Sequence, residues 1–482
     1  MRTSQRVGLT IGIVFVLGLQ LMPVPEGLSA EGWVVVSLAV LMVSWWVTEA
    51  IPIPVTSLLP LVVLPVGGVA SIAEAAIPYS SPTVLLLMGG FIIAKSVERW
   101  NLHARIALNI VVRAGNHPAA LVGGFMLASA VLSMWISNTA TVIMLIPIAV
   151  SVSYAVLGEK AFRAPFTIAL LLGVAYGASI GGLGTPVGTP TNLIVIGYLE
   201  REASQSISFA QWMLIGIPTV VVMLPAAWVV LTRWGLRLSA PESDAGSDVV
   251  KEALDALGRI SLPERRVLLV FGVIAAFWVL RRPLNGLDIF GVTPFGGVTD
   301  HVIAIAGAIA MFLVPSGSSK EPGSRLLDWD TAVKIPWGVM LLFGGGLSLA
   351  AAITGTGLAT WLGGQMAGLT EMPLIVIMFA LVVFVIFSTE LTSNVATASA
   401  LLPVIGAIAT AGGADPMLLA VPVAMAASCA FMLPMATGPN AIVFASGEVT
   451  LPQMATIGLR LNLLGVVLIT SVVTVLVPII FG

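Results

Sequence analysis

Polar residues interrupt the chain inside two of its most apolar stretches. The segment STELTSNVAT (388–397) lies between apolar runs, and SMWISNTAT (133–141) has a similar make-up in the first half of the chain. Serine, threonine and asparagine carry side-chain oxygens that accept hydrogen bonds. Such hard oxygen ligands suit a small alkali cation such as sodium. The two segments are therefore candidate cation sites, and the surrounding elements have to explain why polar residues lie among apolar ones.

Glycine and proline interrupt the helical pattern at two further places, GGLGTPVGTPTN (181–192) and MLPMATGPN (432–440). Both residue types break helical hydrogen bonding and expose backbone carbonyls. The half-helix that follows such a break begins with free N–H groups and a positive dipole end, which suit an anion. None of the four segments contains Arg, Lys or His, so helix ends and co-bound cations would have to neutralise an anion. Cation binding would then come first and be coupled to anion binding.

The composition predicts that these segments lie within a membrane. Of 482 residues, 58% are hydrophobic and 9% are charged, whereas roughly 25% of the residues of soluble domains are charged. Apolar runs recur along the whole sequence, so we expect residues 1–482 to form a single membrane transporter domain. One cysteine, Cys429, excludes an intrachain disulfide and a cysteine-rich metal site.

The apolar runs predict an all-α polytopic membrane protein with about eleven crossings of a hydrocarbon core about 30 Å thick. The predicted crossings are 8–22, 32–48, 54–72, 83–97, 164–199, 210–233, 265–281, 299–315, 336–356, 416–446 and 456–480. Two more runs, 119–156 and 371–411, are predicted to be re-entrant hairpins that enter and leave on the same side. A hairpin tip leaves N–H and C=O groups that lipid cannot satisfy, so it must be buried or line an aqueous cavity. Ser, Thr and Asn at the tips meet that need.

Charge placement predicts the orientation. With the N-terminus in the cytoplasm, most of the 21 basic residues fall on the cytoplasmic side, the exceptions being Arg201, Arg281 and Arg282. An odd number of crossings places the C-terminus outside. We therefore expect an integral protein of the plasma (inner) membrane with a cytoplasmic N-terminus and an extracytoplasmic C-terminus.

The two halves of the chain resemble each other. The matching segments are LLLMGGF (85–91) with MLLFGGG (340–346), SNTATVIMLIPIAV (137–150) with SNVATASALLPVIG (393–406), and GTPTNLIVIGYL (188–199) with ATGPNAIVFASG (436–447). The alternative is that apolar segments look alike by chance because they use few residue types. The shared residues, however, are Ser-Asn and Pro/Gly-Asn rather than Leu and Val, which favours a repeat. We expect a first repeat at 30–235, a cytoplasmic linker at 236–264 and a second repeat at 265–482. Because each repeat crosses an odd number of times, the two are inverted, an architecture typical of secondary transporters.

These motifs resemble the divalent anion:sodium symporter family, which belongs to the ion transporter superfamily. The family carries Ser-Asn-Thr on each hairpin tip, matched here by Ser137-Asn138-Thr139 and, in altered form, by Ser393-Asn394-Val395. Its C-terminal signature is matched by SCAFMLPMATGPNAIV (428–443), and WWVTEAIPIPVTSLLP (45–60) is similar to the segment joining its second and third spans. The resemblance covers essentially the whole chain. It implies scaffold and transport domains, elevator-type alternating access and a homodimer.

The resemblance also implies the roles of particular residues. The first sodium site would use Ser133, Ser137, Asn138 and the backbone at Gly188. The second would use Thr389, Thr392, Asn394 and the backbone at Ala436. The substrate would be bound by Asn138, Thr139, Thr189, Pro190, Asn394, Val395, Thr437 and Gly438. Val395 stands where the motif has Thr, which removes one hydroxyl from the substrate side.

The sequence therefore predicts a sodium-coupled symporter of divalent anions, with C4-dicarboxylates such as succinate, fumarate and malate as substrates. A sodium-independent dicarboxylate exchanger and a citrate or sulfate carrier are alternatives within transport. An intramembrane enzyme is disfavoured, because the chain shows no His-rich zinc motif, paired intramembrane aspartates or Ser-His arrangement. We expect sodium ions but no organic cofactor, and no nucleic-acid partner. Glu390 has two open interpretations, a hydrogen-bonded structural role or a proton-coupling role.

Overall fold

The structure is a computed structural model that describes residues 3–236, 238, 243–290, 292–365 and 372–481. Its regular elements are helices, and β-structure within the described residues is limited to two isolated bridges. Eight of the described helices are long and apolar enough to cross a membrane, and shorter apolar helices accompany them. The predicted all-α polytopic fold is confirmed.

The first part of the chain, up to the linker, forms helices whose bounds are as follows. They are α1 (Thr3–Leu21), α2 (Ala30–Thr48), α3 (Ile53–Thr56), α4 (Pro60–Val66), α5 (Ile72–Ala76), α6 (Pro82–Arg99), α7 (Leu102–Val112), α8 (Pro118–Ser133), α9 (Asn138–Leu157), α10 (Pro165–Gly181), α11 (Pro190–Glu202) and α12 (Phe209–Val229).

The linker and the second part of the chain continue the series. The helices are α13 (Asp244–Ala256), α14 (Leu262–Asn285), α15 (Asp300–Leu313), α16 (Trp329–Ala332), α17 (Trp337–Gly355), α18 (Leu358–Gln365), α19 (Leu374–Thr389), α20 (Asn394–Ala411), α21 (Pro416–Ala427), α22 (Gly438–Ala445) and α23 (Leu451–Phe481). The predicted linker, 236–264, contains α13, while residues 237 and 239–242 lie outside the described residues. Residue 371, the first of the second predicted hairpin, also lies outside them.

Each predicted hairpin is a pair of helices joined by a short polar turn. In the first, α8 ends at Ser133 and α9 begins at Asn138; in the second, α19 ends at Thr389 and α20 begins at Asn394. The turn interrupts the helix at the residues that the sequence singled out. The motif asparagine therefore begins the second helix of each hairpin.

The runs 164–199 and 416–446 are broken helices. In the first, α10 and α11 are separated by residues 182–189, and in the second, α21 and α22 are separated by residues 428–437. In α10, all residues from Phe166 onward are buried, and in α21 all residues except Pro416 and Leu418 are buried. The first break is buried throughout, and the second is buried or half-buried apart from Met435. Irregular backbone at membrane depth is tolerated where it is buried in protein or lines a cavity.

The run 54–72 differs from the single crossing that the sequence predicted. It is divided into α3 and α4, and α4 begins at Pro60. Proline has no backbone N–H and clashes with the preceding turn, so it is favoured at the first position of a new helix. Hydropathy alone did not reveal this division.

The helices pack in two groups. In one group, α10 packs on α8 and α9, α21 packs on α19 and α20, and α12 packs on α23. In the other, α1 packs on α2, α2 on α17, and α15 on both α6 and α14. The hairpins and broken helices form one body, because α22 also packs on α9 and α10 and α11 packs on α20 and α21. The remaining spans lie against this body.

Candidate functional site

A cavity of about 540 Å³ lies where the two hairpin tips meet the two helix breaks. The structure places all eight predicted substrate-binding residues on its wall. They are Asn138, Thr139, Thr189, Pro190, Asn394, Val395, Thr437 and Gly438. Of the predicted sodium ligands, Ser137, Gly188 and Ala436 also line it. Ser133, Thr389 and Thr392 do not, and the first two of these are fully buried.

The two hairpin tips hold their asparagines in the same way. The hydroxyl of Ser133 donates to Asn138 Oδ1, and the hydroxyl of Thr389 donates to Asn394 Oδ1 at 2.7 Å. Donor and acceptor are five residues apart in both hairpins. The Thr389 hydroxyl also lies 3.0 Å from the carbonyl oxygen of Ala427, at the end of α21. Each motif asparagine therefore lines the cavity, and a hydroxyl from the preceding helix holds its side chain in place.

Thr392 is placed differently from the other predicted ligands of the second sodium site. Its hydroxyl donates to the carbonyl oxygen of Ser388 at 3.0 Å and lies 2.5 Å from the Thr397 hydroxyl. Both partners belong to the same hairpin. The structure therefore gives Thr392 contacts within the tip and does not bring it to the cavity wall beside Ala436.

The first predicted sodium set comes together around the first break. A Cβ atom built on Gly188 would lie 2.5 Å from the Gly182 carbonyl oxygen, and one built on Gly182 would lie 3.1 Å from Asn138 Oδ1. The break and the hairpin tip are thus in direct contact, and only glycine leaves room for it. This approach brings backbone carbonyls and the Asn138 amide oxygen to one place, as an oxygen-ligand cation site requires.

The two repeats also contact each other at the cavity. A Cβ atom on Gly438, at the start of α22, would lie 2.5 Å from the hydroxyl oxygen of Thr139 on the first hairpin tip. The hydroxyl of Thr191 lies 2.7 Å from that of Ser428. The hairpin of one repeat therefore meets the break of the other, as expected for inverted repeats that share one site.

Two buried asparagines that the sequence analysis did not assign to the site brace the breaks. Asn192 Nδ2 donates to the carbonyl oxygens of Gly182 (2.9 Å) and Thr185 (2.8 Å). Asn440 Nδ2 donates to those of Ala430 and Leu433, both at 3.1 Å. Each side chain satisfies carbonyls that the break leaves without helical partners. The matched Pro/Gly-Asn segments of the two repeats were the signal for this pairing.

Two helices that face the cavity begin without a side-chain cap. Ser137 precedes α9 and Thr189 precedes α11, and neither side chain accepts a capping hydrogen bond. By contrast, the Thr437 hydroxyl accepts from the N–H of Asn440 at 3.2 Å in α22. Uncapped N–H groups at a positive dipole end are suited to carboxylate oxygens. Because Ser137 and Thr189 line the cavity, an anion can reach these groups there.

Glu390 satisfies the backbone of the second break. Its buried carboxylate accepts hydrogen bonds from three consecutive N–H groups and one amide, at distances of 2.7 to 2.9 Å. The donors are Phe431 N, Met432 N, Leu433 N and Asn462 Nδ2. These contacts support the structural interpretation of Glu390. Met134 occupies the equivalent position in the first repeat, four residues before the motif asparagine. The first repeat therefore has no carboxylate at this position to accept hydrogen bonds from the backbone of its break.

Charged residues also reach the cavity, from segments that the motifs do not include. Lys95 and Glu98, near the end of α6, and Lys334, which precedes α17, line its wall. Lys95 Nζ lies 2.5 Å from Glu98 Oε2. The sequence analysis missed these residues because they are far from the hairpins in sequence. Inversion of the repeats was the available signal, since it brings the end of α6 and the start of α17 to the same side of the molecule.

A family model and curated relatives match nearly the whole chain, and their descriptions agree with one another. A model of the sodium:sulfate symporter transmembrane region matches residues 3–481. The sodium-dependent dicarboxylate transporter SdcS of Staphylococcus saprophyticus is 41% identical over 486 residues, which cover 99% of this chain and 92% of that protein. The protein of the same description from Staphylococcus aureus (strain MRSA252) is 39% identical over 487 residues, covering 100% and 92%.

Two solved structures share the fold at low sequence identity. The YdaH transporter of Alcanivorax borkumensis superposes with a TM-score of 0.60 at 13% identity, covering 94% of this chain and 99% of that one. MtrF of Neisseria gonorrhoeae, described as illuminating a class of antimetabolite efflux pumps, superposes with a TM-score of 0.59 at 12% identity, covering 98% and 94%. At this identity the likeness concerns the fold alone.

Proposed function

Because the chain belongs to the sodium:sulfate symporter family, we propose that it is a secondary active transporter that couples sodium movement to the uptake of C4-dicarboxylates such as succinate, fumarate and malate. The observation that carries the proposal is the central cavity, where the Ser-Asn tips of both hairpins meet the starts of both second half-helices. The description of the staphylococcal relatives as sodium-dependent dicarboxylate transporters supports the substrate class.

We assign the cations to the two hairpin tips. The first sodium ion would be bound by Ser133, Ser137, Asn138 and the Gly188 carbonyl, and the second by Thr389, Thr392, Asn394 and the Ala436 carbonyl. The hydroxyl-to-asparagine hydrogen bonds seen at both tips would open so that these oxygens turn to the ion. The contacts of Thr392 within its own hairpin mean that this residue has to rearrange more than the others.

The dicarboxylate would lie between the two cations. Its carboxylates would be bound by Asn138, Thr139, Thr189 and Pro190 from one repeat and by Asn394, Val395, Thr437 and Gly438 from the other. The uncapped N-termini of α9 and α11 add partial positive charge. Since these motif residues carry no cationic side chain, bound sodium supplies the rest of the compensating charge. This makes anion binding depend on sodium and couples the two fluxes.

The cavity opens, in our proposal, toward the cytoplasm. Lys95 and Lys334 line it, and Arg99 and Arg105 follow Lys95 closely in sequence. An excess of Lys and Arg marks the cytoplasmic side of a membrane protein. The structure would then be an inward-facing state of a protein whose N-terminus is cytoplasmic and whose C-terminus is extracytoplasmic.

Alternating access would move one of the two packing groups against the other. The hairpins and broken helices, packed on one another, would travel as an elevator-type transport domain, and the group of α1, α2, α6, α14, α15 and α17 would remain as the scaffold. We propose that two scaffolds associate in a homodimer. The molecular mass of the purified protein in detergent, measured by light scattering, tests this assembly.

Uptake of labelled succinate into proteoliposomes tests the function. We expect an inward sodium gradient to drive uptake into liposomes without internal succinate, and potassium or choline not to replace sodium. Uptake that requires preloaded succinate and ignores sodium would instead identify an exchanger. Inhibition of succinate uptake by unlabelled citrate and sulfate shows whether the site prefers either of these anions to succinate.

A further inference from the structure

Lys334 contributes a cationic side chain to the wall of a cavity whose motif residues have none. It lies in the segment KIPW (334–337), which begins between α16 and α17, and it is an exposed residue that lines the cavity. The segment belongs to neither hairpin and to neither broken helix. Lys334 therefore lies on the path to the site rather than among the proposed ligands.

Three basic residues at this end of the molecule, on α6 and α7, are paired with carboxylates. The pairs are Lys95 with Glu98, Arg99 with Glu321 and Asp328, and Arg105 with Glu264. Among the residues that the structure describes, no carboxylate lies within ion-pair distance of Lys334. Glu98, the acidic residue on the cavity wall, is occupied by Lys95 at 2.5 Å. The Lys334 charge is thus the uncompensated positive charge on the described wall.

We propose that Lys334 attracts the dicarboxylate dianion at the cytoplasmic mouth of the cavity and so determines the apparent affinity for substrate on that side. This inference rests on the proposed function and adds a residue to it. A charge at the rim of a site mainly changes how often a charged ligand arrives, and salt screens its effect. A dianion experiences twice the attraction of a monoanion. The proposed ligands themselves carry no cation, so the anion is attracted at the mouth without being trapped within.

Membrane vesicles of known orientation separate this role from a structural one. Inside-out vesicles present the cytoplasmic face and right-side-out vesicles present the other. At a fixed, saturating sodium concentration with no other salt added, we expect Lys334→Gln to raise the KM for labelled succinate roughly three- to fivefold in inside-out vesicles. The KM in right-side-out vesicles and the half-saturating sodium concentration should not change, and added choline chloride should reduce the difference.

Three further variants serve as controls. Lys334→Arg keeps the charge and should restore the KM. Lys320→Gln removes the same charge from an exposed residue of the same end of the molecule, in the loop after α15 that does not line the cavity, and should leave the KM unchanged. Glu98→Gln frees Lys95 on the cavity wall and should lower the KM in inside-out vesicles.

Specific outcomes overturn the inference. A Lys334→Gln protein that behaves as Lys320→Gln does, or whose altered KM is insensitive to salt or equal in both vesicle types, rules out attraction by Lys334 at the cytoplasmic mouth. Such a result leaves the proposed function intact, provided that the unsubstituted protein shows sodium-driven uptake. Absence of that uptake in both vesicle types overturns the proposed function and this inference with it.

Discussion

At the scale of single residues, the site is built from neutral oxygens held in matching pairs. Ser133 with Asn138 and Thr389 with Asn394 repeat the same hydrogen bond in the two hairpins. Asn192 and Asn440 repeat the same brace in the two breaks. Neutral ligands bind a cation without the permanent charge that would hold it too tightly to be released. Reversible binding is what a carrier requires of its site.

The two motif asparagines should be essential for transport. Asn138→Ala or Asn394→Ala removes an oxygen that we assign to both a cation and the anion, and each hydrogen bond to a charged group is worth about 1.5–3 kcal/mol. We expect succinate uptake by either variant to fall roughly ten- to a hundredfold, with thermal stability in detergent retained. Asn109→Ala, which removes an amide that donates to its own helix, is the matched control. Near-normal uptake by either purified variant would refute the site assignment.

Val395 should influence which anion is preferred. It lines the cavity where the family motif has Thr, so Val395→Thr adds a hydroxyl on the substrate side. We expect the relative uptake of succinate, citrate and sulfate to change while the half-saturating sodium concentration stays the same. Competition assays and a sodium titration on the same proteoliposomes measure both. Altered sodium dependence with unaltered selectivity would place Val395 on the cation side instead.

The sequence predicts some of these residues and not others, for a physical reason. Ser, Asn, Gly and Pro inside apolar runs violate the membrane pattern locally, so Asn138, Asn394 and the breaks are visible in the sequence alone. Lys334 violates no pattern, because a lysine between spans is ordinary. Its position on the cavity wall depends on packing between α6, α17 and the hairpins, which are far apart in the chain.

At the scale of elements, the site depends on close contact between helices of different repeats. The start of α22 lies against the tip of the first hairpin, with glycine at the point of contact. The broken helices α10 and α21 are buried along nearly their whole length. Elements packed this closely move together or not at all. The hairpins and breaks should therefore shift as a unit when the cavity changes sides.

Gly438→Ala should separate α22 from the first hairpin. The added Cβ atom would lie 2.5 Å from the Thr139 hydroxyl oxygen, so one of the two elements has to shift. We expect the KM for succinate to rise severalfold, because overpacking of this kind typically costs about 1–3 kcal/mol. Gly355→Ala, at the end of α17, has no atom within 4 Å of its added Cβ and should leave uptake unchanged. Equal behaviour of the two variants would show that the contact is dispensable.

Residues 54–72 form more than one helix. The hydrophobic run predicted one span, but α4 begins at Pro60 and leaves two short helices. Hydropathy averages over a window and is insensitive to a single proline. The missing N–H of a proline can therefore end a helix within an apolar run, as it does before Pro60 in the described structure.

At the scale of the whole molecule, the proposed orientation can be measured with single cysteines. Cys429 is the chain's one cysteine and is buried, so Cys429→Ala provides a cysteine-free background. In that background, Val339→Cys on the cavity wall should react with a membrane-impermeant maleimide in inside-out vesicles, and sodium with succinate should slow the reaction. Phe290 is fully exposed in the loop between α14 and α15, and the proposed topology places this loop outside the cell, so Phe290→Cys serves as the comparison. It should react in right-side-out vesicles, and the reverse pattern would invert the proposed orientation.

Glu390 has a consequence for the energetics of the whole cycle. If the repeats were related by perfect inversion, turning the protein inside out would regenerate the same molecule, and its two resting conformations would be isoenergetic. A carboxylate in one repeat and Met134 in the other remove that degeneracy. The unloaded protein should consequently populate one of its two conformations, inward-facing or outward-facing, more than the other. The activation barriers for the transition in the two directions then differ as well. Ala140 lines the cavity and belongs to the first hairpin, which is proposed to move. The ratio of Ala140→Cys labelling rates from the two sides, without substrate or gradient, therefore reports this energetic difference.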